Sequence, residues 1–400
     1  MGLISVKSAI LVLLVSLGAY FYLKPSDSLP LHIGGTVDPR FQRVKDVFVT
    51  NFKEKWERDG ASLVVYEKGK KVVDLWGGYA DRESNRKWRE DTISVIFSTS
   101  KGVGALCIAV LANRGLISYD DLVTKYWPEF GQNGKGNVTV MMLMSHQAGL
   151  AYFDDEVSLE EAFNHKAISK KFEKQKPNWP PGTMAAYHAL TFGWLVDQLI
   201  RRVDPQKRGV GKFVREEFHE AHGVDIHFDF GKLKKFIKIM TQMGADSPIG
   251  KAINNVPWFG PIGKVAVNDP ELWKLEQAAA LGIGNARGLA KLYDLIVRKK
   301  LISSKTLAIL QKQQSTIDFG AKELALPMGV GLGLSKLDRA GSQTLIGHPG
   351  YGCQQGTMDV KNEIAIGYVT NGIKMLILDS CVAWDKLISA IYDAIEDKKR

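Results

Sequence analysis

Cysteine is scarce in this sequence, with three residues, Cys107, Cys353 and Cys381, among 400. Three cysteines form at most one disulfide and leave one thiol over, so a disulfide-rich scaffold is excluded. None of them lies in a CxxC pair, which excludes the usual zinc knot and the thioredoxin-type redox pair. Cys107 falls inside an apolar helical stretch, where a small buried side chain is expected.

Several common catalytic motifs are also absent. The sequence contains no GxSxG elbow, no Walker P-loop and no HExxH motif, which excludes the usual signatures of α/β-hydrolases, P-loop NTPases and zincins. His219 and His222 are spaced to share one helix face, and His227 follows them, but the spacing fixes no third ligand. The sequence therefore predicts no metal ion and no other cofactor.

The charge balance is the one skew in the composition, with 53 Lys and Arg against 43 Asp and Glu and a net charge of +10. Because 45% of the residues are hydrophobic, the chain can bury a large core and disorder is excluded. A surface that binds nucleic acid or acidic lipid is a hypothesis that rests on charge alone, and a steep salt dependence of binding would identify it. The basic residues are scattered without interleaved aromatics, so no nucleic-acid partner is predicted.

The first 25 residues are predicted to be a targeting signal. Residues 8–23 contain no charge and lie between Lys7 and Lys24. This run is shorter than the ~20 residues of a typical spanning helix, although flanking lysines can extend to the membrane surface. Aromatic residues at its end favour an uncleaved signal-anchor, in a single-pass membrane protein of the secretory pathway. Secretion after signal cleavage is the alternative.

Strand patterns at the two ends of the chain enclose a helical middle. The patterns predict a helix over 41–56, a hairpin over 61–76, helices from about 98 to 310, strands over 328–370 and a closing helix over 377–395. This order predicts an α+β fold in which one sheet is interrupted by a large helical insert.

Two S-x-x-K tetrads are present, at Ser84–Lys87 and at Ser98–Lys101. The first lies in a charged loop, whereas the second lies between a β-rich stretch and an apolar helical run. A serine in the first turn of a buried helix lies near the N-terminal amides, and a lysine three residues later returns to the same face. Burial would lower the pKa of the Lys101 amine and make it a usable base. Ser98 is therefore the candidate nucleophile.

Three further motifs follow this tetrad in order: LMSHQAGL at 143–150, Pro181-Gly182 ahead of Tyr187, and His348-Pro349-Gly350. With them the chain resembles the serine β-lactamase and penicillin-binding-protein superfamily, in its class C β-lactamase and esterase branch, and eukaryotic β-lactamase domain-containing proteins. The resemblance implies a β-lactamase/transpeptidase-like domain over residues 38–396. In that fold an antiparallel β-sheet is flanked by terminal helices, an all-helical insert occupies about 98–310, and the site lies at their junction.

The resemblance also implies the catalytic roles. Ser98 would be the acylated nucleophile, Lys101 its activating partner, and Tyr187 a proton relay between the nucleophile and the leaving group. His146, in the LMSHQAGL segment, matches a part of the family that supports the fold, so it is not predicted to be catalytic.

The substrate side of the site departs from the β-lactamase pattern. By resemblance, His348 and Gly350 would line the site on a strand, and the Tyr351 and Ser98 amides would form the oxyanion hole. Ala189 replaces the asparagine of the family's Tyr-x-Asn motif, and Pro349 replaces a threonine. His348 replaces a lysine, so a fixed positive charge becomes one expected to titrate near pH ~6.5. These changes weaken recognition of a β-lactam.

Two functions of different kinds follow from these residues. The favoured one is a serine hydrolase that acts through an acyl-enzyme on an ester or amide (peptide-like) substrate and is not an efficient β-lactamase. The alternative is a catalytically idle, membrane-anchored structural or scaffold protein with the same fold. The expected partners are a small-molecule or peptide-like acyl substrate and a membrane that holds the N-terminal segment. The sequence predicts no particular oligomeric state.

Overall fold

The computed structural model describes residues 29–228, 251, 255–259, 269, 271–317, 326–337, 343–372, 374 and 381–396. The apolar run at residues 8–23 lies outside the described residues, so the predicted boundaries of the targeting segment and of the domain stay predictions. Contacts between Cα atoms divide the chain into Met1–Leu31 and His32–Arg400, and the elements below belong to the second unit. No helix in the described part is both long and apolar enough to cross a membrane.

Most of the strands lie towards the two ends of the chain, as the sequence predicts. The described strands are β1 Ile33–Val37, β2 Gly60–Glu67, β3 Lys70–Asp81, β4 Arg86–Lys87, β5 Ser94–Val95, β6 Ile226–His227, β7 Ile283–Gly284, β8 Ser315–Ile317, β9 Leu326–Met328, β10 Gly333–Leu337, β11 Gln343–Gly350, β12 Gln354–Asp359 and β13 Ile364–Thr370. The described α-helices are α1 Gln42–Lys53, α2 Thr99–Asn113, α3 Val140–Met144, α4 Leu159–Phe163, α5 His165–Lys174, α6 Thr191–Val203, α7 Val210–Val214, α8 Ala286–Val297, α9 Ser304–Leu310 and α10 Val382–Glu396.

One antiparallel sheet joins the two ends of the chain. In the described residues its strand order is β1-β3-β2-β13-β12-β11-β10-β9-β8, and β4 pairs with β3. The predicted hairpin is present: Lys68 and Gly69, with φ of 51° and 81°, form the tight turn between β2 and β3 that favours positive φ at both positions. Because β13 pairs with β2, the N-terminal and C-terminal strands are neighbours at the centre of the sheet.

The two faces of the sheet are covered by different helices, as the alternation of side chains along β13 shows. Ile364, Ile366 and Tyr368 belong to one apolar cluster with α1 and α10. The opposite face of β13 packs under α8. Gly367 is essential to that contact, because a Cβ atom at this position would lie 2.8 Å from the Ala290 backbone nitrogen. The helix axis therefore passes directly over the strand.

Helix α2 lies between the sheet and the helical part of the chain. Every residue from Thr99 to Leu111 is buried, as expected for a helix that is apolar on all sides. Cys107 is fully buried in it and is the free thiol. The other two cysteines form the single possible disulfide, Cys353–Cys381.

The middle of the chain is not wholly helical, which the sequence did not predict. Strands β5, β7 and β6 form a second, three-stranded sheet within the described residues. Each of its strands is only two residues long, so none produces a periodic hydrophobic pattern that sequence inspection can detect.

The contact between Gly367 and α8 generates a stability prediction. Gly367→Ala should lower the free energy of unfolding by about 1–3 kcal/mol, because the added methyl group would collide with helix backbone that cannot rotate away. Urea unfolding followed by circular dichroism measures the change. Gly136→Ala is the matched control, since its Cβ would have only one neighbour, 3.8 Å away, and an equal loss in both variants would contradict the proposed packing.

Candidate active site

Ser98 lies at the start of α2, immediately after a strained residue. Phe97 has a φ of 45°, a left-handed conformation that costs an aromatic residue ~1–3 kcal/mol and is concentrated at functional sites. The chain on its N-terminal side is fixed by Ile96, whose amide donates to the Gly282 carbonyl oxygen at 2.9 Å. Ser98 is half-buried, and it is thus presented at the N-terminus of a buried helix.

Lys101 is fully buried and has unusual partners for a lysine. Its Nζ lies 3.5 Å from Ser98 Oγ, 2.8 Å from the Ala189 carbonyl oxygen and 2.9 Å from the Ala279 carbonyl oxygen. Burial lowers the pKa of the Lys101 amine well below its ordinary value. No carboxylate of the described residues offsets this effect, so the neutral amine is strongly favoured.

Tyr187 completes a group of three polar side chains. It forms a hydrogen bond with Ser98, and its ring centroid lies 4.6 Å from Lys101 Nζ. Removal from water raises the pKa of the Tyr187 hydroxyl, against the hydrogen bond with Ser98, which lowers it. The phenol is therefore a proton donor near neutral pH rather than a phenolate.

Two histidines hold the backbone on either side of Tyr187. The His188 amide donates to His146 Nδ1 at 3.1 Å, and the Ala186 amide donates to the His146 carbonyl oxygen at 3.1 Å. His188 in turn accepts the Leu150 amide at Nε2, 3.1 Å away. These hydrogen bonds are consistent with the supporting role that the resemblance implies for the His146 segment. His188 was not predicted, because its only sequence signal is its position next to Tyr187.

His348 differs from the sequence-based expectation. Its side chain is 2% exposed, and Nδ1 donates to the Pro349 carbonyl oxygen at 2.7 Å. Burial, and then the nearby Lys101, lower the pKa of His348 to about 3. The expected titration near pH 6.5 is therefore wrong, because a ring enclosed beside a lysine is not solvated well enough to hold a proton. Its ring centroid is 6.0 Å from that of Tyr187, so it lines the site as a neutral group.

Gly350 and Tyr351 lie where β11 passes the first turn of α2. A Cβ atom on Gly350 would be 2.7 Å from Thr99 Oγ1, so only glycine allows this approach. The Tyr351 ring packs edge-on against Phe97, with centroids 5.6 Å apart. Cys353, two residues further on, forms the disulfide with Cys381, which ties this turn to the start of α10.

All of the predicted site residues thus meet at the junction of the sheet, α2 and the helical region. The second tetrad is not part of this junction. Ser84 is exposed and its hydroxyl donates to Asp81 Oδ2 at 2.7 Å, while Lys87 is an exposed residue of β4. The choice between the two tetrads on sequence context agrees with this placement.

Comparison with known proteins identifies the family. The sequence profile described as Beta-lactamase matches residues 48–375, which is most of the chain. The protein belongs to the Beta-lactamase family. A curated relative named esterase/beta-lactamase LipL, from Mycobacterium tuberculosis, is 31% identical over 360 residues, covering 84% of this chain and 82% of LipL.

Solved structures place this Beta-lactamase family member in the same fold. A family VIII carboxylesterase superposes with a TM-score of 0.81 at 30% identity, covering 91% of this chain and all of the esterase chain. A penicillin-binding protein homologue from Caulobacter crescentus gives a TM-score of 0.77 at 29% identity, with 91% and 100% coverage. The predicted superfamily and fold are confirmed, and so is the enzyme class, a serine hydrolase of this superfamily.

The buried histidines of this site generate a pH prediction. Burial lowers the pKa of His146 well below its ordinary value, of His188 to about 4 and of His348 to about 3. Above the unfolded-state pKa of ~6.5 these rings are neutral in both the folded and the unfolded chain, so they do not make the free energy of unfolding depend on pH. Below this pH the unfolded chain binds protons that the folded chain does not bind. The free energy of unfolding should therefore fall as the pH drops from ~6.5, by up to ~1.4 kcal/mol per pH unit for each histidine.

Urea unfolding at a series of pH values between about 6 and 4.5 measures this slope. His348→Gln should reduce it by ~1.4 kcal/mol per pH unit, because one of the proton-refusing rings is gone. A slope identical to that of the unaltered protein would show that His348 already carries its proton in the folded state.

Proposed function

We propose that the protein hydrolyses carboxylic esters through an acyl-enzyme formed on Ser98. The observation that carries this proposal is the buried Lys101 amine, which lies 3.5 Å from Ser98 Oγ and whose other two polar contacts are carbonyl oxygens. The relatives named as an esterase/beta-lactamase and a carboxylesterase support the choice of ester substrates.

The contacts of Lys101 suit a general base. A neutral amine has two N–H groups and one lone pair, and the two carbonyl oxygens of Ala189 and Ala279 accept the two N–H groups. The lone pair then faces Ser98 Oγ and can accept the hydroxyl proton as the oxygen attacks the substrate carbonyl carbon. The lowered pKa of Lys101 keeps this lone pair available near neutral pH.

The developing oxyanion would be stabilised by two backbone amides, those of Ser98 and Tyr351. Neither of them donates any of the loop and turn backbone hydrogen bonds found among the described residues. Both lie where the end of β11 meets the first turn of α2, and the helix N-terminus adds its positive potential. Two amides aimed at the tetrahedral oxygen are the usual oxyanion hole of an acyl-transfer enzyme.

Tyr187 would carry the proton from Lys101 to the leaving alcohol. The carbon–oxygen bond of the ester then breaks, the alcohol departs with this proton, and the acyl group remains on Ser98. Water adds in the second half-reaction, giving up its proton to the same Tyr187–Lys101 pair. Ser98 regains its hydrogen, and the carboxylic acid leaves.

Three features weigh against efficient β-lactam turnover. Ala189 offers only its backbone carbonyl, which Lys101 occupies, so the side-chain amide of the family's asparagine has no counterpart there. Pro349 has no hydroxyl, and His348 is neutral with its pKa lowered to about 3. Positions 348 and 349 thus supply neither the cation nor the hydroxyl that would hold a β-lactam carboxylate, whereas Ser98, Lys101 and Tyr187 retain the proposed acylation roles.

Labelling of the full chain with a fluorophosphonate probe tests the nucleophile. The unaltered protein should be labelled, and Ser98→Ala should abolish both labelling and hydrolysis of short-chain nitrophenyl esters, because it removes the hydroxyl that lies 3.5 Å from Lys101 Nζ. Lys101→Met, which keeps the shape of the side chain, should slow labelling by ~10²–10⁴-fold through loss of the base.

Ser84→Ala is the matched control for this experiment, since it removes the serine of the exposed tetrad and should leave labelling unchanged. Labelling that persists in Ser98→Ala would overturn the assignment. A chain that no acylating probe labels, but that forms a regular oligomer in size-exclusion chromatography, would support the scaffold alternative. Faster turnover of a chromogenic cephalosporin than of the esters would reverse the proposed substrate preference.

We also propose that residues 8–23 anchor the enzyme in a membrane of the secretory pathway. The Cys353–Cys381 disulfide supports this location, because disulfides persist in oxidising compartments. When translated in the presence of microsomes, the full chain should resist carbonate extraction without shortening, and a chain lacking residues 1–25 should be extracted. A shortened product would favour secretion after cleavage, and an extractable full-length product would contradict both versions.

A further inference from the structure

A second cluster of chemically active side chains lies outside the site described above. His219, Asp225 and His227 each offer one ligand atom, and these atoms all lie within 4.8 Å of one another. The two imidazole rings are neighbours, with centroids 4.7 Å apart and ring planes tilted by 60°. We propose that these three residues bind a divalent transition-metal ion, with zinc as the best match. The proposal does not depend on the function proposed for Ser98.

The fold gathers the three ligands in a way that the sequence spacing did not predict. His219 lies in a π-helical segment, Arg215–Glu220, a rare conformation that is frequent at functional sites. Gly223, with a φ of 65°, then turns the chain back so that β6 brings His227 beside His219. The pairing of His219 with His222 on one helix face, considered from the sequence, is replaced by this turn.

Two of the three ligands, His219 and Asp225, are oriented by a hydrogen bond to a residue outside the cluster, as is usual around metal ions. His219 Nδ1 donates to the Val224 carbonyl oxygen at 3.0 Å, which leaves the lone pair of Nε2 for a metal. One oxygen of Asp225 accepts the side-chain amide of Asn285, and the other lies 2.8 Å from His227 Nε2. A metal ion would take the place of the proton between these two atoms, and the neutral His227 ring would keep its proton on Nδ1.

The donor set indicates which ion fits. Two imidazole nitrogens and one carboxylate favour zinc and its neighbours in the first transition row over Mg²⁺ or Ca²⁺, which prefer oxygen ligands. In the tetrahedral geometry of zinc, bonds of ~2.0–2.2 Å place two ligand atoms of one ion ~3.3–3.6 Å apart. Ligand atoms that lie within 4.8 Å of one another therefore reach a common ion after side-chain shifts of up to ~1.5 Å. Three protein ligands leave a fourth position for water.

The position of the cluster suggests what the ion would do. Strand β6 pairs with β7, and Asn285, which holds Asp225, caps the N-terminus of α8 through the Gly288 amide. An ion on His219, Asp225 and His227 would therefore link the π-helical segment to β6 of the small sheet and, through Asn285, to the start of α8. The expected consequence is a gain in stability on metal binding.

Isothermal titration calorimetry of the full chain, freed of metal by chelation, tests the proposal with Zn²⁺, and Co²⁺ absorption serves as a second probe of the ligand sphere. The chain should bind one zinc ion, and the midpoint of thermal unfolding should rise. His219→Ala and His227→Ala should each weaken binding by more than the ~10–100-fold that loss of an outer-shell partner costs. Mg²⁺ should not compete.

His222→Ala is the matched control, because this half-buried histidine lies three residues from His219 but outside the cluster, and its zinc affinity should equal that of the unaltered chain. Circular dichroism of each metal-free variant establishes that it is folded. Zinc binding that is equally strong in His219→Ala and His227→Ala would overturn the proposal, as would no binding by the unaltered, folded chain.

Discussion

The candidate active site depends on the burial of a single amine, that of Lys101, without a carboxylate partner among the described residues. An ammonium group in this position would be severely desolvated, so the enclosing structure selects the neutral form of Lys101. The neutral form is favoured only if water is excluded from the Lys101 amine, and the burial of α2 around its whole circumference provides this exclusion. It also requires acceptors for two N–H groups, and the carbonyl oxygens of Ala189 and Ala279 come from segments far apart in the chain.

The same constraint accounts for the chemistry of the surrounding rings. The burial that disfavours an ammonium on Lys101 also disfavours imidazolium ions, and it is the main cause of the lowered pKa of His146, His188 and His348. These rings therefore act by shape and by neutral hydrogen bonds. His146 and His188 hold the backbone on both sides of Tyr187, and the His348 ring lines the site with its centroid 6.0 Å from that of Tyr187.

Local patterns predicted the strands and helices near both chain ends, and local context selected Ser98 as the candidate nucleophile. Alternating strands at both chain ends, the hairpin at Lys68–Gly69 and the choice of Ser98 over Ser84 all rest on features within a few residues of one another. The proton affinity of His348 was not predictable in this way, because it depends on the solvent exclusion created by distant segments. The two-residue strands of the small sheet and the π-helical segment before His227 produce no periodic pattern at all.

The Cys353–Cys381 disulfide makes the turn at Tyr351 dependent on the redox conditions under which the chain folds. Cys353 follows Tyr351 by two residues, and its bond to Cys381, 28 residues later, links that turn covalently to the beginning of α10. A cross-link of this kind removes many open conformations from the unfolded ensemble. Here it does so for the segment whose Tyr351 amide is the proposed oxyanion donor. A chain made in a reducing environment would have the same sequence but would lack this bond, so its turn would be held only by packing. Its catalytic competence would then depend on the compartment in which it folded.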